Sequence, residues 1–154
     1  MLQESCIERG LTVAVAESCT GGLVAASITA IPGSSEYFLG GVVSYANEAK
    51  EAFLDVPRAA LEAHGAVSRE VAQAMAVGAR ARFGASLAVS TTGIAGPDGG
   101  SSDKPVGLVY VGMATAHEAG AKHQQFRGDR DAIREAATDA ALRWLIAAAT
   151  QEPR

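Results

Sequence analysis

The chain has 154 residues, of which 48% are hydrophobic and 19% charged, and its formal net charge is −4. This length and composition are typical of one globular domain, so we expect a single domain over residues 1–154. The negative balance argues against a general nucleic-acid surface, which requires clustered Lys and Arg, and no apolar run is long enough to predict a membrane span.

Apolar runs alternate with amphipathic stretches along the whole chain, which is the pattern of a layered α/β domain. The last two predicted strands lie close together in sequence and suggest an antiparallel hairpin, so the predicted sheet is mixed. The predicted elements, in chain order, are a short helix ending near Gly10, strand 11–16, helix 21–31, strand 41–45, a short helix capped by Asn47, a short helix starting at Pro57, a helix from Ser68 to about Phe83, strand 86–92, a loop over 93–102, strand 106–115, strand 121–126 and a helix over about 129–150.

The segment 16–22 places a hydroxyl and a thiol, Ser18 and Cys19, between a predicted buried strand and a predicted helix. Ligands of α/β sheets bind at the carboxyl ends of strands. The first turn of a helix also has unpaired N–H groups that suit a phosphate or a developing oxyanion. Ser18 is therefore a candidate nucleophile. Its position is equally typical of a helix cap, and both interpretations stay open.

A serine hydroxyl needs a base to react near neutral pH, and Lys50 is the candidate. It lies one turn past Asn47 on a helix that follows a strand, so its side chain can point back across the strand ends. A desolvated lysine there has a lowered pKa and can serve as the base of a Ser-Lys pair. Tyr45 is expected to relay a proton or to hold the lysine. The structural alternatives are a solvated lysine and a half-buried strand tyrosine.

The histidines and cysteines offer no comparable pattern. None of His64, His117 and His123 has a carboxylate partner at a useful spacing, although a Ser-His-Asp triad stays open. Cys6 and Cys19 form no CxxC or metal-ligand spacing and are too few for a disulfide framework, and no signal peptide is apparent. We therefore expect a cytoplasmic protein without a metal or a cofactor.

Residues 93–102 form a glycine-rich loop whose N–H groups can converge on an anion. The loop lacks the ending of a P-loop, and the chain has no GxGxxG, so the usual nucleotide fingerprints are absent. Lys104, Arg127 and Arg130 are candidates for phosphate contacts, because arginine pairs with phosphate through two N–H groups. A long turn and ordinary exposed charges are the structural alternatives.

Several ordered motifs together resemble one family. They are Ala16-Glu17-Ser18-Cys19-Thr20-Gly21-Gly22, Ser44-Tyr45-Ala46-Asn47-Glu48-Ala49-Lys50, His64-Gly65-Ala66-Val67-Ser68, Thr92-Gly93-Ile94-Ala95-Gly96-Pro97-Asp98-Gly99-Gly100, Lys104-Pro105-Val106-Gly107 and Phe126-Arg127-Gly128-Asp129-Arg130. Over nearly its whole length the chain is similar to the nicotinamide-nucleotide amidohydrolases, also called the CinA C-terminal domain family or NMN deamidases.

The resemblance implies a three-layer α/β/α fold with a mixed, mostly parallel sheet, and a homo-oligomer. It also implies hydrolysis of the carboxamide of nicotinamide mononucleotide (NMN) to nicotinate mononucleotide and ammonia. Longer relatives carry an N-terminal domain linked to pyrophosphatase chemistry, and that second activity is not expected here. The residues that match the family's functional positions are Ser18 as nucleophile, Lys50 and Tyr45 as its lysine and tyrosine, Thr92 at the start of the glycine loop, and Arg127 or Arg130 in the basic motif.

Together these observations predict acyl transfer from NMN through a covalent intermediate on Ser18, with Lys50 as base. Backbone N–H groups around Thr20, Gly21 and Gly22 are expected to stabilise the oxyanion, and the glycine loop, beginning at Thr92 and Gly93, to hold the 5′-phosphate with an arginine. Two alternatives remain: a non-catalytic nucleotide-binding module, and an amidohydrolase of another small amide.

Overall fold

Five strands form one mixed sheet in the computed structural model, which describes residues 1–152. They are β1 Val13–Glu17, β2 Phe38–Val43, β3 Leu87–Gly93, β4 Leu108–Ala114 and β5 Ala119–Gln125. Their order across the sheet is β2-β1-β3-β4-β5. The first three are parallel to one another, β4 is antiparallel to β3, and β5 is antiparallel to β4. The mixed, mostly parallel sheet and its hairpin are confirmed.

Six helices cover the two faces of this sheet. They are α1 Leu2–Arg9, α2 Leu23–Thr29, α3 Asn47–Leu54, α4 Arg58–His64, α5 Arg69–Phe83 and α6 Arg130–Gln151. Helices α1, α2 and α6 pack on one face, and α3, α4 and α5 form the layer on the other. The predicted three-layer α/β/α arrangement is confirmed. Each helix among the described residues is too short or too polar to cross a lipid bilayer.

The two faces of the sheet have different side chains. In β1, Val13 and Val15 point toward the layer of α1, α2 and α6, whereas Ala14 and Ala16 point toward α5. Small side chains on the second face let α5 approach closely, and Ser90 of β3 donates a hydrogen bond of 2.6 Å from Oγ to the carbonyl oxygen of Ala72 in α5. This close layer matters for function, because α5 in turn supports α3.

The boundaries of most elements follow their predicted caps. The Oγ of Ser68 accepts the amide of Val71 at the start of α5, and Gly10 and Gly84 end α1 and α5 in the left-handed conformation that glycine favours. The prediction for Asn47 is wrong: Ala46 is the cap residue of α3, and Asn47 is already helical.

Strand β2 begins three residues earlier than predicted and ends before Tyr45. The strand contains Gly40 and Gly41, which by themselves are typical of a turn. Their neighbours explain them, since a Cβ on Gly41 would lie 2.4 Å from Cγ2 of Val15 and one on Gly40 would lie 2.8 Å from the ring of Phe83. Side chains of neighbouring elements therefore occupy the space that a side chain on either residue would need.

The connections that leave β1 and β2 diverge at one end of the sheet. The chain leaves β1 for α2 on one face, and it leaves the adjacent β2 for α3 on the opposite face. Such a divergence between neighbouring parallel strands opens a crevice beyond their carboxyl ends, where α/β proteins bind ligands. The predicted site residues Ser18 and Lys50 follow β1 and β2 directly.

Gly78→Ala tests the support that α5 gives to α3. An added Cβ would lie 1.9 Å from the carbonyl oxygen of Leu54, the last residue of α3. We expect a net loss of about 1–3 kcal/mol in the free energy of unfolding, measured by denaturant titration, despite the helix propensity of alanine. Gly120→Ala in β5 is the control, because an added Cβ there meets nothing within 4 Å. Equal unfolding midpoints for the two variants would contradict this packing.

Candidate active site

Ser18 lies at the carboxyl end of β1, in a turn beside the end of β3. Its amide donates a hydrogen bond of 3.0 Å to the carbonyl oxygen of Thr91, and its own carbonyl oxygen accepts the amide of Gly21 at 3.1 Å. The second bond closes a four-residue turn from Ser18 to Gly21, with Cys19 and Thr20 at its centre. Ser18 is 8% exposed, so it is buried at the end of the sheet rather than displayed on the surface.

Lys50 reaches Ser18 from α3, the helix that follows the adjacent strand β2. Its Nζ lies 3.0 Å from the Oγ of Ser18, and it donates hydrogen bonds to the carbonyl oxygens of Ser44 at 2.8 Å and Tyr45 at 3.2 Å. The side chain is 1% exposed. The structure therefore brings together the two residues that the sequence proposed as nucleophile and base.

The surroundings of the Lys50 amine favour its neutral form. Burial lowers the pKa of Lys50 below its ordinary value. Among residues 1–152, no carboxylate lies within 4.0 Å of Nζ to offset that effect. A neutral amine has two N–H groups and one lone pair. The carbonyl oxygens of Ser44 and Tyr45 can take both N–H groups, which leaves the lone pair for the hydroxyl proton of Ser18.

A buried carboxylate beside Ser18 is engaged elsewhere. Glu17 accepts the hydroxyl of Thr20 at 2.5 Å and the amides of Gly22 at 3.2 Å, Val24 at 2.9 Å and Ala25 at 3.0 Å. It therefore satisfies the first amides of α2, as a cap residue does. Sequence reasoning assigned Glu17 no role, although a charged residue at the end of a buried strand, just before a helix, was a usable signal.

The engagement of Glu17 changes which amides are available to an oxyanion. The amide of Gly22 is bound to Glu17 and that of Gly21 to Ser18. The expectation that these two glycine amides stabilise an oxyanion is therefore corrected. Within residues 1–152 the amides of Cys19 and Thr20 donate to no oxygen acceptor, and the amide of Cys19 contacts only its own thiol. Buried N–H groups without a partner are rare in folded proteins, so this pair is the better candidate.

Thr20 contributes to the site through its backbone. Its side chain is fully buried, and its hydroxyl donates to Glu17 and lies 2.7 Å from the Oγ1 of Thr91. The hydroxyl therefore ties the turn to β3 and is not directed to a ligand. The predicted role of Thr20 in substrate binding stays a prediction for its amide alone.

Tyr45 supports Lys50 with its backbone and borders the crevice with its side chain. The side chain is 61% exposed, and its hydroxyl accepts a hydrogen bond of 3.2 Å from Arg130. Arg130 also donates to the carbonyl oxygen of Gly96 at 2.7 Å. The tyrosine, the arginine and the glycine loop are therefore linked on one side of the site. The proton-relay role of Tyr45 stays a prediction.

Thr92 and Gly93 begin the glycine loop, and both have structural partners. The hydroxyl of Thr92 donates to the carbonyl oxygen of Ala66 at 2.8 Å and so ties β3 to the segment between α4 and α5. A Cβ on Gly93 would lie 2.8 Å from the carbonyl oxygen of Leu108, so close packing of β4 explains this glycine. Their roles in substrate binding also stay predictions.

The remainder of the glycine loop contains backbone amides that could donate to a ligand. Those of Ala95 and Gly96 are buried and bind no acceptor among the described residues. Of the nearby cations, Lys104 donates to the carbonyl oxygen of His64, whereas Arg127 is exposed and forms no ion pair with a described residue. The loop and Arg127 are therefore the available groups for an anion at this end of the sheet.

The remaining candidates lie away from Ser18 or are inert. No histidine hydrogen-bonds to Ser18 within residues 1–152; His64 lies 3.8 Å from Glu70, and His117 lies 3.9 Å from Glu152. The geometry gives no support to a Ser-His-Asp triad. Burial raises the pKa of Cys19 to about 11, which keeps its thiol protonated and makes it a poor nucleophile.

Comparisons with known proteins agree on one family. A profile of the CinA C-terminal domain matches residues 1–149. A CinA-like protein of Geobacter sulfurreducens is 58% identical over 138 residues, which are 90% of this chain and 33% of that protein. A putative competence-damage inducible protein of Moorella thermoacetica is 54% identical over 87% of this chain and 32% of its own length. The chain thus spans about a third of these curated relatives.

Solved structures show the same fold. A CinA superfamily protein from Klebsiella pneumoniae superposes with a TM-score of 0.93 at 32% identity, covering 98% of this chain and 94% of the other. The competence/damage inducible protein CihA from Agrobacterium tumefaciens gives a TM-score of 0.87 at 42% identity, covering 95% and 94%.

Lys50→Met tests whether the amine is desolvated, independently of any activity. A base whose pKa is lower in the folded chain releases protons on folding, so the stability of the wild type should rise with pH until the ordinary lysine value of 10.5 is reached. Lys50→Met removes this dependence. The melting temperature of the wild type minus that of the variant should therefore increase as the pH is raised.

The exposed Lys122→Met is the control for loss of a lysine. A difference between wild type and Lys50→Met that stays constant with pH would show that burial does not disfavour the charged amine.

Proposed function

This chain belongs to the CinA C-terminal domain family, and we propose that it is an amidohydrolase that converts NMN to nicotinate mononucleotide and ammonia. The observation that carries the proposal is the distance of 3.0 Å between the Nζ of a buried Lys50 and the Oγ of Ser18. The names of the relatives specify no reaction, so the activity is argued from this pair and from the resemblance of the motifs to NMN deamidases.

Acylation begins with proton transfer from Ser18 to Lys50. The lone pair of Nζ takes the hydroxyl proton while Oγ forms a bond to the carboxamide carbon, and the C=O electron pair moves onto oxygen. The resulting tetrahedral intermediate collapses as its C–N bond breaks. The leaving nitrogen takes the proton from the Lys50 ammonium and departs as ammonia, which leaves an ester on Ser18 and a neutral amine.

Deacylation repeats this sequence with a water molecule, in place of Ser18, as the nucleophile. Lys50 takes a proton from the water as its oxygen attacks the ester carbon, and the second tetrahedral intermediate expels Ser18, which recovers a proton from Lys50. Both halves need the neutral amine at the start. The rate should therefore rise with pH through the pKa of Lys50, which burial holds below the ordinary lysine value.

The oxyanion of each intermediate needs preorganised donors. The free amides of Cys19 and Thr20 belong to the turn that carries Ser18, so their place relative to Oγ is fixed by the same backbone. An oxyanion donor in comparable sites contributes about 3 kcal/mol of transition-state stabilisation.

The 5′-phosphate of NMN is the part of the substrate best suited to the glycine loop. The loop follows β3 directly and is joined to α6 by the bond from Arg130 to Gly96. Its buried amides at Ala95 and Gly96 can donate to phosphate oxygens, and Arg127 supplies an exposed guanidinium. Binding of the phosphate in this loop orients the reacting carbon of the carboxamide without placing the negative charge of the phosphate next to it.

Ser18→Ala should abolish the release of ammonia from NMN because it removes the attacking oxygen, while the melting temperature changes little. Ammonia release by the purified protein is the measurement. Cys19→Ser is the matched control, since the adjacent thiol is buried and protonated, and this variant should stay active. Near-normal turnover by Ser18→Ala would exclude the serine mechanism. Tight NMN binding without turnover by the wild type would instead favour a binding module.

Arg127→Ala tests phosphate recognition. With NMN, KM should rise about tenfold, because a charge-assisted hydrogen bond is lost. With nicotinamide riboside, which lacks the phosphate, the same change should have no effect on kcat/KM. Arg143→Ala is the control, since Arg143 is exposed on α6 and pairs only with Asp139 among the described residues. An equal loss with both substrates would show that Arg127 does not bind the phosphate.

A further inference from the structure

We propose that Arg134 is a positioning residue that orients the turn after Ser18 so that the amides of Cys19 and Thr20 form the oxyanion hole. The inference rests on the acyl-transfer function proposed above. It assigns a role to a side chain on α6 that touches neither Ser18 nor Lys50.

The contacts of Arg134 are directed at the backbone of that turn. Its Nε donates to the carbonyl oxygen of Cys19 at 3.1 Å, and one terminal nitrogen donates to the carbonyl oxygen of Thr20 at 3.2 Å. No carboxylate among the described residues lies within 4.0 Å of the guanidinium. The rigid fork of an arginine therefore holds two consecutive carbonyl groups in one orientation.

The orientation of a carbonyl group fixes the amide on the same peptide. The peptide bonds of this turn are trans, so the carbonyl of Cys19 and the amide of Thr20 point in opposite directions. Because the carbonyl of Cys19 faces Arg134, the amide of Thr20 must face away from α6. The carbonyl of Ser18 is bound by Gly21 inside the turn, which directs the amide of Cys19 out of it.

The direction away from α6 is the direction of the reacting groups. Arg134 comes from α6, on the face of the sheet covered by α1 and α2, whereas Lys50 comes from α3, on the opposite face. An amide of Thr20 that points away from Arg134 therefore points toward the side on which Lys50 meets Ser18.

Gly21 makes room for this arrangement. Its φ angle of 58° is in the left-handed region, and a Cβ there would lie 3.2 Å from the terminal nitrogen of Arg134. A side chain at this position would strain the turn and press on the guanidinium. The glycine is thus explained by the contact with Arg134 as well as by the turn itself.

The test compares Arg134→Ala with Arg143→Ala, an exposed arginine on the same helix. We expect Arg134→Ala to lower kcat for NMN about 10- to 100-fold with little change in KM, because oxyanion donors act in the transition state and not on bound substrate. The rising limb of the pH–rate profile should stay in place, since Lys50 keeps its contacts. Guanidinium ion added to Arg134→Ala should restore part of kcat. Arg143→Ala should match the wild type.

A second readout avoids NMN. A fluorophosphonate forms a bond between phosphorus and the Oγ of Ser18 with loss of fluoride, and negative charge develops on the phosphoryl oxygen. The rate of this labelling should fall in Arg134→Ala and not in Arg143→Ala. If the wild type is labelled but does not hydrolyse NMN, the proposed substrate is wrong. The labelling rates of the two arginine variants then still test the role of Arg134.

Three results would overturn the inference: equal kcat and labelling rates for the two arginine variants, a loss confined to KM, or a loss accompanied by a shift of the pH profile. If Arg134→Ala does not fold, the kcat of Arg134→Lys tests the inference instead. This variant keeps the charge without the planar fork, so it should fold and still show a lowered kcat, and a wild-type kcat would refute the role.

Discussion

The burial of the Lys50 amine without a counterion is the constraint on which the rest of the site depends. A charged ammonium in such a place is costly, so burial lowers the pKa of Lys50, and a neutral amine is what the proposed serine nucleophile requires. The carbonyl oxygens of Ser44 and Tyr45 accept its N–H groups and hold Nζ beside Ser18. The close packing of α5 on α3, with glycine at position 78, keeps this helix where Lys50 can reach Ser18.

The role of Glu17 follows from the same constraint. A carboxylate one residue before the nucleophile could have paired with Lys50 and kept it charged. Three amides at the start of α2 and the hydroxyl of Thr20 bind that carboxylate instead, so its charge stabilises a helix end. The cost to the site is that the glycine amides are no longer free for an oxyanion. The turn compensates, because it leaves the amides of Cys19 and Thr20 unpaired in the segment that carries Ser18.

Hydrophobic periodicity was sufficient to predict most elements and the mixed sheet, and the ends of the strands suggested Lys50 as a partner of Ser18. The three-layer arrangement was implied by the family resemblance, which also matched Ser18 and Lys50 to functional positions. The sequence was not sufficient for contacts that depend on how elements pack. Gly40, Gly41 and Gly93 are explained by contacts with side chains or backbone of neighbouring strands and helices. The spacing of these glycines in the chain does not predict those contacts. Glu17 and Arg134 were passed over for the same reason, since most of the partners of Glu17 and both partners of Arg134 are backbone groups.

The two faces of the sheet contribute different parts of the chemistry. The layer of α3, α4 and α5 supplies Lys50, the proposed base, and α6 on the other face supplies the guanidinium that binds the carbonyls of the turn. Ser18, the proposed nucleophile, lies between them at the end of β1, an interior strand of the sheet. A lysine base needs a buried site that lowers its pKa, whereas oxyanion stabilisation needs oriented dipoles. Placing these demands on opposite faces lets the fold satisfy both, because a cation on the α6 side can orient the turn without becoming a charged neighbour of Lys50.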